Sequence, residues 1–248
     1  MSQFYLPGPW LNLPVLAPDT LRHHLRVRRI DSNEFIRVFD GEGRIAKAQI
    51  SPESTDKLLR LDLKEIHEDL STEPRYKIVL AQGIAGGDKM DWLIEKSVEL
   101  GVSEIIPLQA DRSVVRLDEK RAVKRLAHWQ ALVIAASEQS GRTVIPKILP
   151  VQSTTSWLKS QSTKEFATDE LKILLSPRGE IGFVSILKRA PGQDLVIMIG
   201  PEGGFCDEEE NLALKSGFVP ALLGKRILRT ETAGIVMMSA VHTVWGGF

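Results

Sequence analysis

Ile199-Gly200-Pro201-Glu202-Gly203-Gly204-Phe205 directly follows an apolar run, Leu195 to Ile199, and is followed in turn by Asp207 and, three residues later, Glu210, a pair suited to capping a helix. The order is strand, Gly-rich loop, helix. Glycines remove side chains where a ligand must approach the backbone, and a loop at the carboxyl end of a parallel strand is where open α/β sheets bind ligands. The loop lacks the Lys-Ser/Thr ending of a phosphate-binding P-loop and the spacing of a dinucleotide fingerprint. A nucleoside without phosphates fits it better.

Working outward from that loop, short apolar strands alternate with helical periodicity from Lys77 onward, which predicts a mostly parallel sheet covered by helices on both faces. The strands expected are Lys77 to Gln82, Glu104 to Leu108, Lys172 to Ser176, Leu195 to Ile199 and Ala221 to Leu223. Met90, Leu93, Ile94, Ser97 and Val98 share one helical face, and Gly101 is placed to end that helix. The helix Asp118 to Gln139 reads as two-faced: Val123, Leu126, Ala127, Gln130 and Ile134 form the apolar side, and Lys120, Arg121, Lys124, Arg125 and His128 form a basic side open to a polyanion. A second strand-to-helix segment, Leu223-Gly224-Lys225-Arg226-Ile227-Leu228-Arg229-Thr230-Glu231-Thr232-Ala233, has Thr230 as the expected N-cap. Its helix start offers N–H donors to a cap or to a ligand carboxylate. Gly83-Ile84-Ala85-Gly86-Gly87 fits neither nucleotide fingerprint and reads as a flexible loop and a decoy. In the last helix, Ala233, Val236, Met237, Ala240, Val241 and Val244 make one stripe and Ile235, Met238 and Trp245 another. A helix apolar on two sides is buried on two sides, either inside one subunit or against a second copy.

The first seventy residues are β-rich. Phe35 to Phe39 and Arg44 to Ile50 flank the turn Asp40-Gly41-Glu42-Gly43, a hairpin signal, and Leu59, Leu61 and Leu63 alternate along a third strand. Ile66 to Arg75 is too polar for either core and reads as a linker, so the chain divides into residues 1–72 and 73–248. The 32 basic and 32 acidic residues cancel, so attraction to nucleic acid has to come from local clusters. No apolar run approaches a membrane span and the N-terminus lacks the layout of a signal peptide, which predicts a cytoplasmic protein. Cys206 is the single cysteine, which excludes an internal disulfide, and the histidines show no metal-ligand spacing. No metal is expected.

Taken together, Gly200-Pro201-Glu202-Gly203-Gly204, Leu223-Gly224 and Ile227-Leu228-Arg229-Thr230-Glu231-Thr232-Ala233 resemble the cofactor loops of the SPOUT methyltransferases, in particular the bacterial family that methylates N3 of a uridine in 16S ribosomal RNA. Lys89-Met90-Asp91, Glu95 to Val102, and Ala135 to Arg142 match as well, and His23 to Arg29 with Phe39-Asp40-Gly41 resembles the family's RNA-binding domain. Family members often carry Cys or another small residue near positions 137 and 140, where this chain has Ser. The resemblance implies a PUA-like β-barrel followed by an α/β domain with a parallel sheet and a deep trefoil knot, an exception to the rule that chains avoid threading. It further implies a homodimer, 16S rRNA within the 30S subunit as partner, and S-adenosyl-L-methionine as cofactor. The cofactor contacts expected are Leu175, Ile199, Gly200, Pro201, Glu202, Gly203, Gly204, Leu223, Gly224, Ile227, Leu228, Arg229, Thr230, Thr232 and Ala233.

Arg22, His23, His24, Arg26, Arg28 and Arg29 lie within eight residues, a density suited to phosphate contacts, and Arg142 after Gly141 is a further candidate. N3 of uracil lies on the Watson–Crick edge, so the base has to be unpaired or flipped. Arg229 is the candidate to stabilise a uracilate-like charge, or else to hold its loop by an ion pair. Glu202 or Glu231 is the candidate to orient or accept the proton. Competing readings are a related enzyme acting on a ribose 2′-oxygen or a transfer RNA base, and a non-catalytic RNA-binding assembly factor.

Overall fold

The computed structural model describes residues 3–55, 57–163 and 170–247. The chain folds into two compact units, Met1–Glu73 with Ile134–Ile145, and Pro74–Val133 with Pro146–Phe248.

The first unit comprises β1 (Gln3–Tyr5), β2 (Val15–Leu16), α1 (Asp19–Val27), β3 (Ile36–Phe39), β4 (Arg44–Ile50) and β5 (Arg60–Glu68). The sheet order is β1-β3-β4-β5-β2, antiparallel except for the β1-β3 pair. Asp40 shapes the β3-β4 turn by accepting hydrogen bonds from the N–H groups of Glu42 and Arg44. Leu59, Leu61 and Leu63 are buried, as their alternation predicts, together with Leu21 and Leu25 of α1. The expected linker starts too early: β5 pairs with β4 as far as Glu68, because backbone pairing continues past the last core residue.

Arg142 also departs from expectation. It is only 3% exposed, and its Nε and Nη2 donate to the Glu73 carboxylate at 3.1 and 2.5 Å. A guanidinium so enclosed holds its own unit together and presents nothing to RNA. Removing one partner of such a pair strands the other charge, so Arg142→Ala is expected to cost about 3–5 kcal/mol of unfolding free energy, read by urea denaturation. An unchanged midpoint would mean that Glu73 finds water instead.

The second unit comprises β6 (Ile78–Gly83), α2 (Lys89–Glu99), β7 (Glu104–Gln109), α3 (Glu119–Ser140, whose end belongs to the first unit), β8 (Lys147–Ile148), β9 (Gln152–Ser153), α4 (Thr154–Thr163), β10 (Glu170–Leu175), β11 (Ile181–Gly182), α5 (Phe183–Leu187), β12 (Asp194–Ile199), α6 (Asp207–Lys215), β13 (Val219–Leu222) and α7 (Thr230–Trp245). The sheet runs β11-β13-β10-β12-β6-β7-β8 with each of these neighbouring pairs parallel, and β9 also pairs in parallel with β7. Trp157 and Leu158 of α4 and Ala213 of α6 pack with Leu174, Val196 and Met198, while α7 packs with α2 and α5 and meets β6 and β12. Strands covered on both faces read as continuous apolar runs, which is why Leu195 to Ile199 shows no alternation.

Two helices differ in detail from the periodicity reading. In α3 the buried side chains are Trp129, Val133, Ala136 and Ser137, while Val123 is 70% exposed. The basic face is partly neutralised: Asp91 pairs with Arg125 at 3.7 Å and His128 at 2.7 Å. In α7 the first stripe splits, with Ala233, Met237 and Val241 buried beside Met238 and His242, and Val236 facing outward. His242 is held between the Tyr76 hydroxyl and the Leu100 carbonyl, at 2.8 and 2.6 Å.

Candidate functional site

The carboxyl ends of β10, β12 and β13 open onto one cleft of about 1020 Å³. Leu175 and Ile199 come from strand ends, Gly200 to Gly204 from the loop after β12, Leu223 to Arg229 from the segment before α7, and Thr230 and Ala233 from α7 itself. Sequence reading thus located most of the lining. Thr232 lies outside this lining and faces a neighbouring hollow with Glu231, whereas Thr230 and Ala233, three apart, share the cleft face. Lys225 and Arg226, inside the candidate segment but not among the expected contacts, also line the cleft, and so do Ser176, Pro177, Gly182 and Leu222, which were missed. The signal for Ser176 and Leu222 was available, since Ser176 closes one expected strand and Leu222 lies within another.

The two glycine loops are made for each other. A Cβ on Gly83 would lie 2.3 Å from the Pro201 nitrogen, and one on Gly203 would lie 2.6 Å from the Arg112 carbonyl oxygen, so neither position has room for a side chain. Gly86 N–H then donates to Glu202 Oε1 at 3.0 Å and Lys89 Nζ donates to the same oxygen at 2.8 Å. The segment read as a decoy is therefore the clamp on the loop after β12. Burial pushes the Glu202 carboxyl up, but the Lys89 and Gly86 hydrogen bonds, its own backbone N–H and the Lys89 charge outweigh it and leave the carboxyl below its ordinary range. A carboxylate held low in this way is a weak proton acceptor and a good anchor.

A second clamp joins α7 to the same loop. Thr230 Oγ1 donates to the Gly200 carbonyl at 2.6 Å and accepts from Gln82 Nε2 at 2.8 Å. Thr230 was expected to cap its helix. Instead Arg229 occupies the N-cap position without a side-chain cap, and the Thr230 hydroxyl is engaged across the sheet. The N–H groups of the first turn are thus left with no side chain over them. Capping of α6 also shifts by one residue. Cys206 is its N-cap and donates its N–H to Glu209 Oε2 at 3.0 Å, while Asp207 instead pairs with Arg178. Asp111, Cys206 and Glu209 come within 4.8 Å of one another, yet Glu209 is held by the N–H groups of Asp111 and Cys206, and burial pushes the Cys206 thiol up to about 11. The trio is a helix start in which both Glu209 oxygens already accept backbone N–H groups.

Lys225, Arg226 and Arg229 line the cleft with exposed side chains, and Arg229 makes no ion pair or side-chain hydrogen bond among the described residues. Among the described residues Arg229 has no ion-pair partner through which it could anchor its own loop. Ile227 is 96% exposed at the same rim.

On and just after α1 in the first unit, His23, Arg26 and Arg29 are exposed and lack side-chain partners among the described residues. Arg28 lies over the Phe4 ring at 5.3 Å, His24 is 3.8 Å from Glu138, and Arg22 bonds Asp19 and the Lys57 carbonyl. The cluster therefore offers fewer free cations than its sequence suggests.

Among known proteins, the model of an RNA methyltransferase domain matches residues 72–242 and that of an RNA methyltransferase PUA domain matches residues 18–62. The chain is 35% identical to the ribosomal RNA small subunit methyltransferase E of Bacillus subtilis over 91% of its own length and 88% of that protein. It is 32% identical to the Mesomycoplasma hyopneumoniae protein of the same name, covering 96% and 98%. The crystal structure of ribosomal RNA small subunit methyltransferase E from Neisseria gonorrhoeae bound to S-adenosyl methionine superposes with a TM-score of 0.84 at 36% identity, over 99% of this chain and 98% of that one. With a matched domain over most of its length and relatives aligned nearly end to end, the chain belongs to the ribosomal RNA small subunit methyltransferase E family.

Proposed function

We propose that the protein methylates N3 of a uridine in 16S rRNA, using S-adenosyl-L-methionine bound in the cleft between the β12 loop and the start of α7. The observation that carries this reading is the double clamp, Gly83 against Pro201 and Thr230 against Gly200, which holds a glycine-rich backbone cradle beside an uncapped helix start. The cradle suits an adenosine approaching backbone, the uncapped first turn of α7 suits the methionine carboxylate, and Ile227 gains cover from a ligand at the rim. When bound, S-adenosylmethionine supplies a methyl group already activated on a sulfonium.

The chain's own residues then align N3 and manage its proton. Arg229, unpaired at the cleft rim, stabilises the charge that develops on a uracil carbonyl oxygen as the N3 proton leaves. Glu231 is the better acceptor of that proton, since Glu202 is committed to Lys89 and Gly86. Glu202 therefore orients the loop. His23, Arg26 and Arg29 contact RNA phosphates, the outward α7 face from Val236 onward packs on a second copy in a homodimer, and the path from β12 through α7 forms the trefoil knot. The protein acts in the cytoplasm on the assembled 30S subunit.

Labelled methyl transfer to small-subunit RNA and to assembled subunits, followed by digestion to nucleosides, tests this reading. The expected product is 3-methyluridine, made faster on assembled subunits. A methylated ribose or another base would retain the cofactor site and overturn the substrate, and absence of cofactor binding would favour an assembly factor.

A further inference from the structure

A second hollow, about 410 Å³, adjoins the cleft and is lined by Asp88, Lys89, Trp92, Glu231 and Thr232. Its wall is shared with the cleft: Lys89 lines the hollow and bonds Glu202, which lines the cleft, and Thr230 of the cleft directly precedes Glu231 of the hollow. Trp92 on α2 is 43% exposed there, whereas Trp10, Trp129 and Trp157 are buried. Glu231 Oε2 is enclosed and has no hydrogen-bond partner among the described residues. A buried carboxylate oxygen without a donor is unfavourable until a ligand supplies one.

We infer that this hollow is the subsite for the flipped acceptor base, with Trp92 as its stacking surface and Glu231 as the residue that selects uracil. The inference rests on the methyltransferase reading above. An unstacked base regains stacking on an aromatic ring, and an indole face beside a cavity is the surface that recognises single-stranded RNA. Uracil presents an N3–H donor between two carbonyl acceptors. Glu231 takes the donor, while Lys89, with one of its three donors on Glu202, and the Thr232 hydroxyl reach the carbonyls. Cytosine presents a lone pair at N3 and meets the Glu231 carboxylate with repulsion. The hollow thus reads the edge on which the reaction occurs.

The test uses the full-length protein with S-adenosylmethionine. Short oligouridylate is expected to quench the tryptophan fluorescence of the native protein, and oligocytidylate to quench it far less. Trp92→Ala is expected to raise the KM for RNA about tenfold, with Trp92→Phe restoring it to within about twofold, because loss of one base stack is of that order. Cofactor affinity by calorimetry stays unchanged in both. Glu231→Gln is expected to narrow the preference for oligouridylate. Equal quenching by both oligonucleotides, or an unchanged KM in Trp92→Ala, overturns the subsite. So does a Trp92→Ala protein that sediments as a smaller species with its KM intact, since the ring would then cover a second copy. A native protein that makes no 3-methyluridine overturns the reaction assignment instead, and the quenching comparison still decides the hollow.

Discussion

Gly83→Val is expected to weaken S-adenosylmethionine binding by about a hundredfold while the sheet stays folded. A side chain at this position has its first carbon 2.3 Å from the Pro201 nitrogen and 2.8 Å from the Gly200 carbonyl carbon, and both are backbone atoms that cannot rotate away. The strand end at Gly83 is fixed by its pairing with Leu108, so the loop after β12 has to yield. Overpacking of this kind costs about 1–3 kcal/mol. Because the displaced atoms form the cradle, most of that cost falls on binding, and 3 kcal/mol corresponds to about two orders of magnitude in affinity. Calorimetry on Gly83→Ala and Gly83→Val measures the series. Native affinity in both would show that the two loops move independently and that the first is a bystander.

Arg229→Ala is expected to lower kcat by about a hundredfold to a thousandfold at saturating RNA and cofactor, the usual effect of losing one donor to a developing anion. The substitution is clean for a structural reason. The native Arg229 side chain gives α7 no cap and makes no ion pair among the described residues, so helix and loop lose none of these contacts when it is shortened. Cofactor affinity is expected to remain near native. Arg229→Lys keeps the charge without the planar fork and should fall between the two. Single-turnover rates isolate the chemical step, and a native rate in Arg229→Ala would remove the guanidinium from the reaction.

Local pattern carried much of the architecture. Apolar runs marked β6, β7, β10, β12 and β13 to within a few residues, and Gly101, with φ of 73°, ends α2 as a left-handed glycine should. Long-range partners are what the pattern could not supply. The periodicity of α3 fits two faces one residue apart, and the choice is made by Trp129, whose Nε1 donates to Asp91. Arg142 looks like a surface cation until Glu73, distant in sequence, closes on it. The glycines of the segment after β6 match no nucleotide fingerprint because their partner is the backbone at Pro201. The cleft itself was legible from its two Gly-containing loops. What stayed hidden was the role of Gly83, Gln82 and Lys89 in holding them, since each acts through a contact across the sheet.

The Gln82 to Thr230 hydrogen bond joins residues 148 positions apart. On a ribosome adding about 5–20 residues per second, roughly 7–30 s pass between their synthesis. During that interval the Gln82 amide, fully enclosed in the finished protein, has only the adjacent Gly83 carbonyl and water to bond, so β6 cannot settle into a fully dry interior. The cleft is therefore among the last features of the nascent chain to close, and amide exchange in newly made protein should mark the strand end at Gln82 and the first turn of α7 as becoming protected together.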